Sequence, residues 1–214
     1  MSLPYEKATS GGAAFVNPGG GRTMYLGLAE ATMSLAQSLR IFDRTIQMGG
    51  LSGTSVALQA VNTPALPRGQ ANGSDTRWFV ECYTDLGVTP QTLTVTYTDQ
   101  DGNGAQTTTV AIPATLRAGT LLEILPGTGD TSIRSVESVQ LGGSTGAAGN
   151  FGITAGREKV GARLASYVAG INASKNGLDM GLPVVASDEC LWIVVDCTTT
   201  TTGAVSVNLA LCEG

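Results

Sequence analysis

The sequence contains no histidine, and that single absence removes most of the common hydrolytic machinery. Ser-His-Asp and Cys-His systems need an imidazole to take the nucleophile's proton, and most zinc sites need one as a ligand. Charge is also scarce, with Lys, Arg, Asp and Glu at 14% of the chain against roughly a quarter in an ordinary soluble domain. A surface so poor in charge implies that neighbours cover part of it. The 12 basic residues are scattered and outnumbered by 17 acidic ones, for a net charge of −5. Nucleic-acid binding draws on clustered Lys and Arg, so DNA and RNA are set aside as partners. Aromatics are 5% of the residues, few for the stacking platforms of a carbohydrate- or receptor-binding module. Trp78 and Trp192 both lie inside apolar strand segments, where a core position is expected.

Long hydrophobic runs are missing as well. Leu191 to Val195 is the longest aliphatic-aromatic block, and the opening MSLPYEKATSGG carries no signal-like apolar stretch, so a soluble product with no membrane partner is expected. The four cysteines, Cys82, Cys190, Cys197 and Cys212, lack CxxC spacing, so no metal site is assigned to them and they read as small buried hydrophobes. If Thr199 to Thr202 turn a final hairpin, Cys190 and Cys212 fall on adjoining strands, where a disulfide becomes possible.

What the chain does have is alternation. Thr92, Thr94, Thr96 and Thr98 share one face of a strand while Leu93, Val95 and Tyr97 share the other; after Asp99 to Gly104 the pattern resumes through Val110 and Ile112. A period of two puts successive side chains on opposite faces, which predicts a β-hairpin with an apolar face on a core and a threonine face for water or a partner. Further strands are expected at Trp78 to Thr84, Leu121 to Leu125, Ile133 to Leu141, Asn150 to Ala155, Glu189 to Asp196 and Ala204 to Leu211. Met24 to Ile46 fits both a helical and a strand pattern and is read as mostly strand. Strands of this length and spacing predict an all-β chain, an antiparallel β-sandwich or jelly-roll-like domain over residues 23–214. Residues 1–22, rich in Gly, Pro, Ser and Ala, read as an extended N-terminal arm that either docks on its own domain or crosses to a neighbouring subunit. The loop through Pro64, Pro67 and Arg68 to Asp75 marks a possible subdivision near 64–76.

Four short motifs resemble chemical signatures. Gly142-Gly143-Ser144-Thr145-Gly146 matches G-x-S-x-G, but a nucleophile elbow needs a strand-to-helix turn and a base, so a loop is the better reading. Asp99, Asp101 and Asn103 copy the first ligand positions of an EF-hand loop; the twelfth position is Val110 rather than Glu and the flanks are strands, so a turn is favoured over weak calcium binding. Gly19 to Arg22 lacks the GK[ST] ending of a phosphate loop. Asp188 and Glu189, being adjacent, face opposite ways on a strand and cannot flank one bond. Arg157, Glu158, Lys159 and Arg163 read as a solvated charged edge that discourages strand-to-strand aggregation. The sequons Asn72-Gly73-Ser74 and Asn172-Ala173-Ser174 carry no weight without a secretory route.

Three segments, LTVTYTDQDGNGAQTTTVAIP (93–113), GTGDTSIRSVESVQLGGSTGAAGNFGITAGRE (127–158) and ECLWIVVDCTTTTTGAVSVNLALCEG (189–214), resemble the virion structural proteins of tailed bacteriophages. The resemblance covers roughly Ser38 to Gly214. It implies an assembly component with no catalytic, cofactor-binding or metal residues to carry over: not an enzyme, and no cofactor. Within that class the expectation is a capsid cement or decoration protein, made in the host cytoplasm, carried on the capsid surface of the virion, and binding the major capsid protein as a homo-oligomer. A tail, neck or baseplate component is the alternative, and a receptor- or carbohydrate-binding module is the alternative of a different class.

Overall fold

A computed structural model of the chain describes residues 3–4, 13–35, 37–160, 164–166, 172–197 and 203–214, with backbone alone at 3–4, 164–166, 172 and 197. Its strands, in chain order, are β1 (Leu3–Pro4), β2 (Met24–Met33), β3 (Gln37–Ser52), β4 (Gln59–Ala60), β5 (Thr76–Thr84), β6 (Gln91–Asp99), β7 (Gln106–Ile112), β8 (Leu121–Ile124), β9 (Ile133–Leu141), β10 (Asn150–Glu158), β11 (Leu164–Ser166), β12 (Asn172–Asn176), β13 (Val184–Val185), β14 (Leu191–Cys197) and β15 (Val205–Glu213). No helix occurs among the described residues. The all-β, antiparallel sandwich expected from the alternation is what forms.

The chain divides into two compact units, one of Met1–Tyr5 and Arg44–Arg157, the other of Glu6–Asp43 and Glu158–Gly214. Both divisions fall inside strands, in β3 between Asp43 and Arg44 and in β10 between Arg157 and Glu158. The loop near 64–76 lies wholly inside the first unit.

In the first unit β1, the second half of β3, β10, β5 and β8 make one sheet, and β4, β9, β6 and β7 the other. Their inner faces meet in a single core, to which the first sheet sends Ile46, Val80 and Phe151 and the second Leu93, Val95 and Val139, all fully buried. Trp78 is buried with them, and its indole N–H donates to the Ile133 carbonyl at 2.8 Å, so its polar edge is satisfied. Gly152 of β10 is required by close approach: a Cβ there would lie 1.9 Å from the Met48 carbonyl oxygen.

In the second unit β2 is central, flanked on one edge by β12 and β13 and on the other by β15. The first half of β3 lies between β11 and β14. Met24 and Leu26 point into the core, but beyond them the inward residues are Ala29, Ala31 and Met33. The phase changes because Leu28 pairs with Ala210 while Leu26 pairs with Leu211, leaving Gly27 as the extra residue of a bulge. Thus the ambiguous 24–46 region is two strands with a turn at Ser34 and Leu35 and a bulge within the first. The described parts of the N-terminal arm dock on their own chain. Leu3 and Pro4 pair with Gln47 and Ile46, Phe15 packs against the second core, and Arg22 meets Glu213 at 2.8 Å.

Candidate functional site

The hairpin sheet carries a regular polar face. β6 lies between β7 and β9, so Thr94 and Thr96 stand opposite Thr109 and Thr107 on one side and Gln140 and Ser138 on the other. Directly opposed side chains on neighbouring strands sit about 4.5–5.5 Å apart. The alternation therefore lays out hydroxyl and amide groups, exposed at Thr107, Thr109 and Gln140, half-buried at Thr94 and Thr96 and buried at Ser138, while Leu93, Val95 and Tyr97 fill the opposite face. The Glu137 carboxylate, which accepts the Thr98 hydroxyl at 2.9 Å, lies on the polar side. Hydroxyls both donate and accept, so such a face can hydrogen-bond another polar protein surface without a large desolvation cost for charge.

The turn that joins β6 to β7 is tied by Asp99. One carboxylate oxygen accepts the N–H of Asp101 at 2.9 Å and of Asn103 at 2.8 Å, and the other accepts the Asn103 amide at 2.9 Å. The Asn103 side chain, above all, holds the Asp99 carboxyl below its ordinary value, with the backbone donors adding to it against the opposing effect of burial. Asp99 thus accepts the loop's own N–H groups and closes the turn. Near the same turn, Tyr97 donates to Asp130 at 2.5 Å and accepts the Gly127 N–H at 2.7 Å; burial, then the bond to Asp130, pushes its phenol up.

The Gly142–Gly149 segment connects two strands, β9 and β10, with no helix after it. Ser144 is exposed and its hydroxyl accepts the Gly146 N–H at 3.1 Å. The buried hydroxyl belongs to its neighbour: Thr145 donates to the Gly53 carbonyl at 2.9 Å and accepts the Gly87 N–H at 3.1 Å. Thr145 pins three loops together.

Sequence reasoning missed a buried polar chain in the first unit. Arg44 of β3 bonds Glu81 of β5 and, at 3.1 Å, the hydroxyl of Thr154 of β10. Thr154 and Tyr83 both donate to the same Glu81 oxygen, at 2.5 and 3.0 Å, and Gln47 donates to the Tyr83 hydroxyl at 2.9 Å. Burial, reinforced by the Glu81 charge, pushes the Tyr83 phenol up to about 12, so it remains a neutral donor. The available signal was Arg40, Asp43 and Arg44 inside an otherwise apolar strand; charges there must find partners on neighbouring strands.

The charged cluster at 157–163 requires a correction. Arg157, in the first unit, pairs with Asp75 at 3.0 Å. In the second unit Lys159 pairs with Glu189 at 2.7 Å, with side chains 11% and 3% exposed, so that pair is internal rather than part of a solvated edge, while the Arg157–Asp75 pair stays partly exposed. Arg163 lies outside the described residues. Asp188 is exposed while Glu189 is held by Lys159, which keeps the two carboxylates apart. Arg40 meets Asp196 at 3.0 Å and sits 5.5 Å from the centre of the Phe42 ring.

The disulfide expectation is also corrected. No disulfide joins Cys190 to Cys212, because β14 pairs with β3 and β15 with β2 instead of with each other. Thr198 to Thr202 and the Cys197 side chain lie outside the described residues. Cys82 is buried as expected and burial pushes its thiol up, whereas Cys212 is exposed.

Two depressions in the first unit have volumes of about 240 and 160 Å³, the larger lined by Thr63, Leu66, Arg134 and Ser135 among others. Small-molecule pockets usually measure about 300–1,000 Å³. Among the described residues, no three His, Cys, Asp or Glu side chains converge on a metal-sized site. Comparison of the chain with family models, with curated proteins and with solved structures gives no match.

Proposed function

We propose that this chain is a structural protein of a tailed-bacteriophage virion, and within that class a capsid cement protein that binds the assembled lattice of the major capsid protein. The observation that carries the reading is the outer face of β7, β6 and β9, where Thr94, Thr96, Thr107, Thr109 and Gln140 form an uncharged row of hydroxyls and amides over an apolar core, with the Glu137 carboxylate at its end near the turn. Such a face suits docking on a protein surface, and the resemblance of 93–113, 127–158 and 189–214 to phage virion proteins supplies the class of partner. A charge-poor, acidic chain does not compete for packaged DNA.

The mechanism is mass action. A protein that binds the assembled lattice and not its free subunits stabilises each site by about 2.7 kcal/mol at a hundredfold excess over its Kd, and the gain repeats over every site. The test is co-sedimentation of purified protein with empty, expanded capsids and, separately, with isolated tails, followed by imaging. Saturable, symmetric binding to capsids supports cementing. Binding to tails alone moves the protein to the tail machinery, and binding to neither removes the virion reading.

A further inference from the structure

Among the described residues, no strand pairs with the outer edge of β15. Its only strand partner among them is β2, and the hydrogen bonds of Ala204 to Ser34 and of Gly214 to Thr23 fix which way its backbone groups point. In an antiparallel ladder, alternate residues bond the partner and the ones between turn outward. The N–H and C=O of Val205, Val207, Leu209 and Leu211 therefore face away from β2.

Natural edge strands are guarded by charges, proline or shortness. β15 has none of these guards over most of its 9 residues: Val205 to Cys212 contains no charge and no proline. The core beneath it is partly uncovered on this side. Val205, Val207, Leu209 and Leu211 pack inward but remain half-buried, whereas Leu26, Ala29 and Met33 of the adjoining β2 are fully buried. An edge with outward backbone groups and an incompletely covered apolar face fits an added strand of neutral, alternating sequence.

We infer that the added strand is β15 of a second copy of this chain, antiparallel across a two-fold axis that passes through Asn208. This register places Val205 opposite Leu211 and Val207 opposite Leu209, using every outward group of both strands in about eight backbone hydrogen bonds. On the solvent face Ser206 meets Ala210 and Asn208 meets its own symmetry mate, so no like charges oppose each other and two amides can pair. On the inner face the half-buried aliphatics of the two copies abut and extend both cores. The partner is neutral where this edge is neutral and apolar where it is apolar, which is the complementarity that β15 has with itself. The inference stands on the edge alone and does not depend on the capsid reading.

The experiment is sedimentation of the full chain at the highest concentration it tolerates. The wild-type protein is expected at twice the 21.8 kDa chain mass. Asn208→Lys and Asn208→Glu, which change only an exposed side chain, set like charges face to face and each shift the protein to the single-chain mass. An equimolar mixture of the two returns to the doubled mass, because the charges are then opposite. Val207→Pro, which deletes an outward N–H and spares the ladder to β2, also gives the single-chain mass with an unchanged far-ultraviolet spectrum. A wild-type protein at the single-chain mass, variants that keep the wild-type mass, or a mixture that fails to re-associate would each overturn the two-fold β15 interface.

Discussion

Replacing Thr145 with valine keeps the shape of the side chain and deletes its hydroxyl. That hydroxyl is fully buried, accepts the Gly87 N–H at 3.1 Å and donates to the Gly53 carbonyl at 2.9 Å. The Gly53 carbonyl keeps a second donor, the Thr145 backbone N–H at 3.0 Å, so its loss is partial. The buried Gly87 N–H loses the hydroxyl that satisfies it, and leaving a buried donor unsatisfied costs about 1–3 kcal/mol. Gly87 cannot back away to recruit water easily, since the space beside its Cα is filled by the Thr145 carbonyl, 1.9 Å from where a Cβ would sit. Taking about 2 kcal/mol and a urea slope of about 2 kcal/mol/M, the midpoint of the first unit falls by about 1 M. Fluorescence of Trp78 in a Trp192→Phe background reports that unit alone. Thr145→Ser, which keeps the hydroxyl, loses much less, and Ser144→Ala stays within about 0.5 kcal/mol as an exposed site does. A midpoint drop for Thr145→Val that Thr145→Ser matches would refute the hydrogen-bond account and point to methyl packing instead.

Tyr97→Phe is expected to cost about 1–2 kcal/mol, because Asp130 and the Gly127 N–H both lose a partner while the ring still fills the core; calorimetry of the variant measures it. The Asp99 turn has a signed pH dependence. The folded state holds its carboxyl below the ordinary value of 3.8, so the stabilisation is fully present above that value and is lost as pH falls through the lower folded one. Amide resonances of Asp101 and Asn103 should move together in that acid window, and motion centred at or above the ordinary value would contradict the hydrogen-bond pattern. Among the thiols, a brief treatment of native protein with iodoacetamide followed by peptide mapping should label Cys212 and spare Cys82 and Cys190, which react on unfolding; equal labelling of all three would contradict their burial.

The hairpin was legible because its signal is local: Thr94 and Thr96 alternate with Leu93, Val95 and Tyr97, and Asp99 to Gly104 is a turn by chemistry. The division into two units was not, because it falls at Asp43 and Arg44 inside a strand, with no change of composition to mark it. The β2 segment resisted alignment for a related reason. Its bulge at Gly27 shifts the inward set from Met24 and Leu26 to Ala29 and Ala31, so neither a period of two nor one of 3.6 fits throughout. The Arg44–Glu81–Thr154 and Lys159–Glu189 pairs join residues far apart in the sequence, and a contiguous charged run such as 157–159 reads as surface until the strands that cover it are known. The edge of β15 was half legible: a strand over Ala204 to Leu211 was expected, while its having β2 as its only strand partner among the described residues is a matter of topology.

Capsid binding tests the central proposal most directly through its effect on the particle. Under that proposal a phage encodes the chain, and empty, expanded capsids of that phage, heated with increasing amounts of the protein, should disrupt at a temperature that rises and then saturates at a fixed number of bound copies. A disruption temperature that does not move while the protein is present in excess would contradict a cementing role.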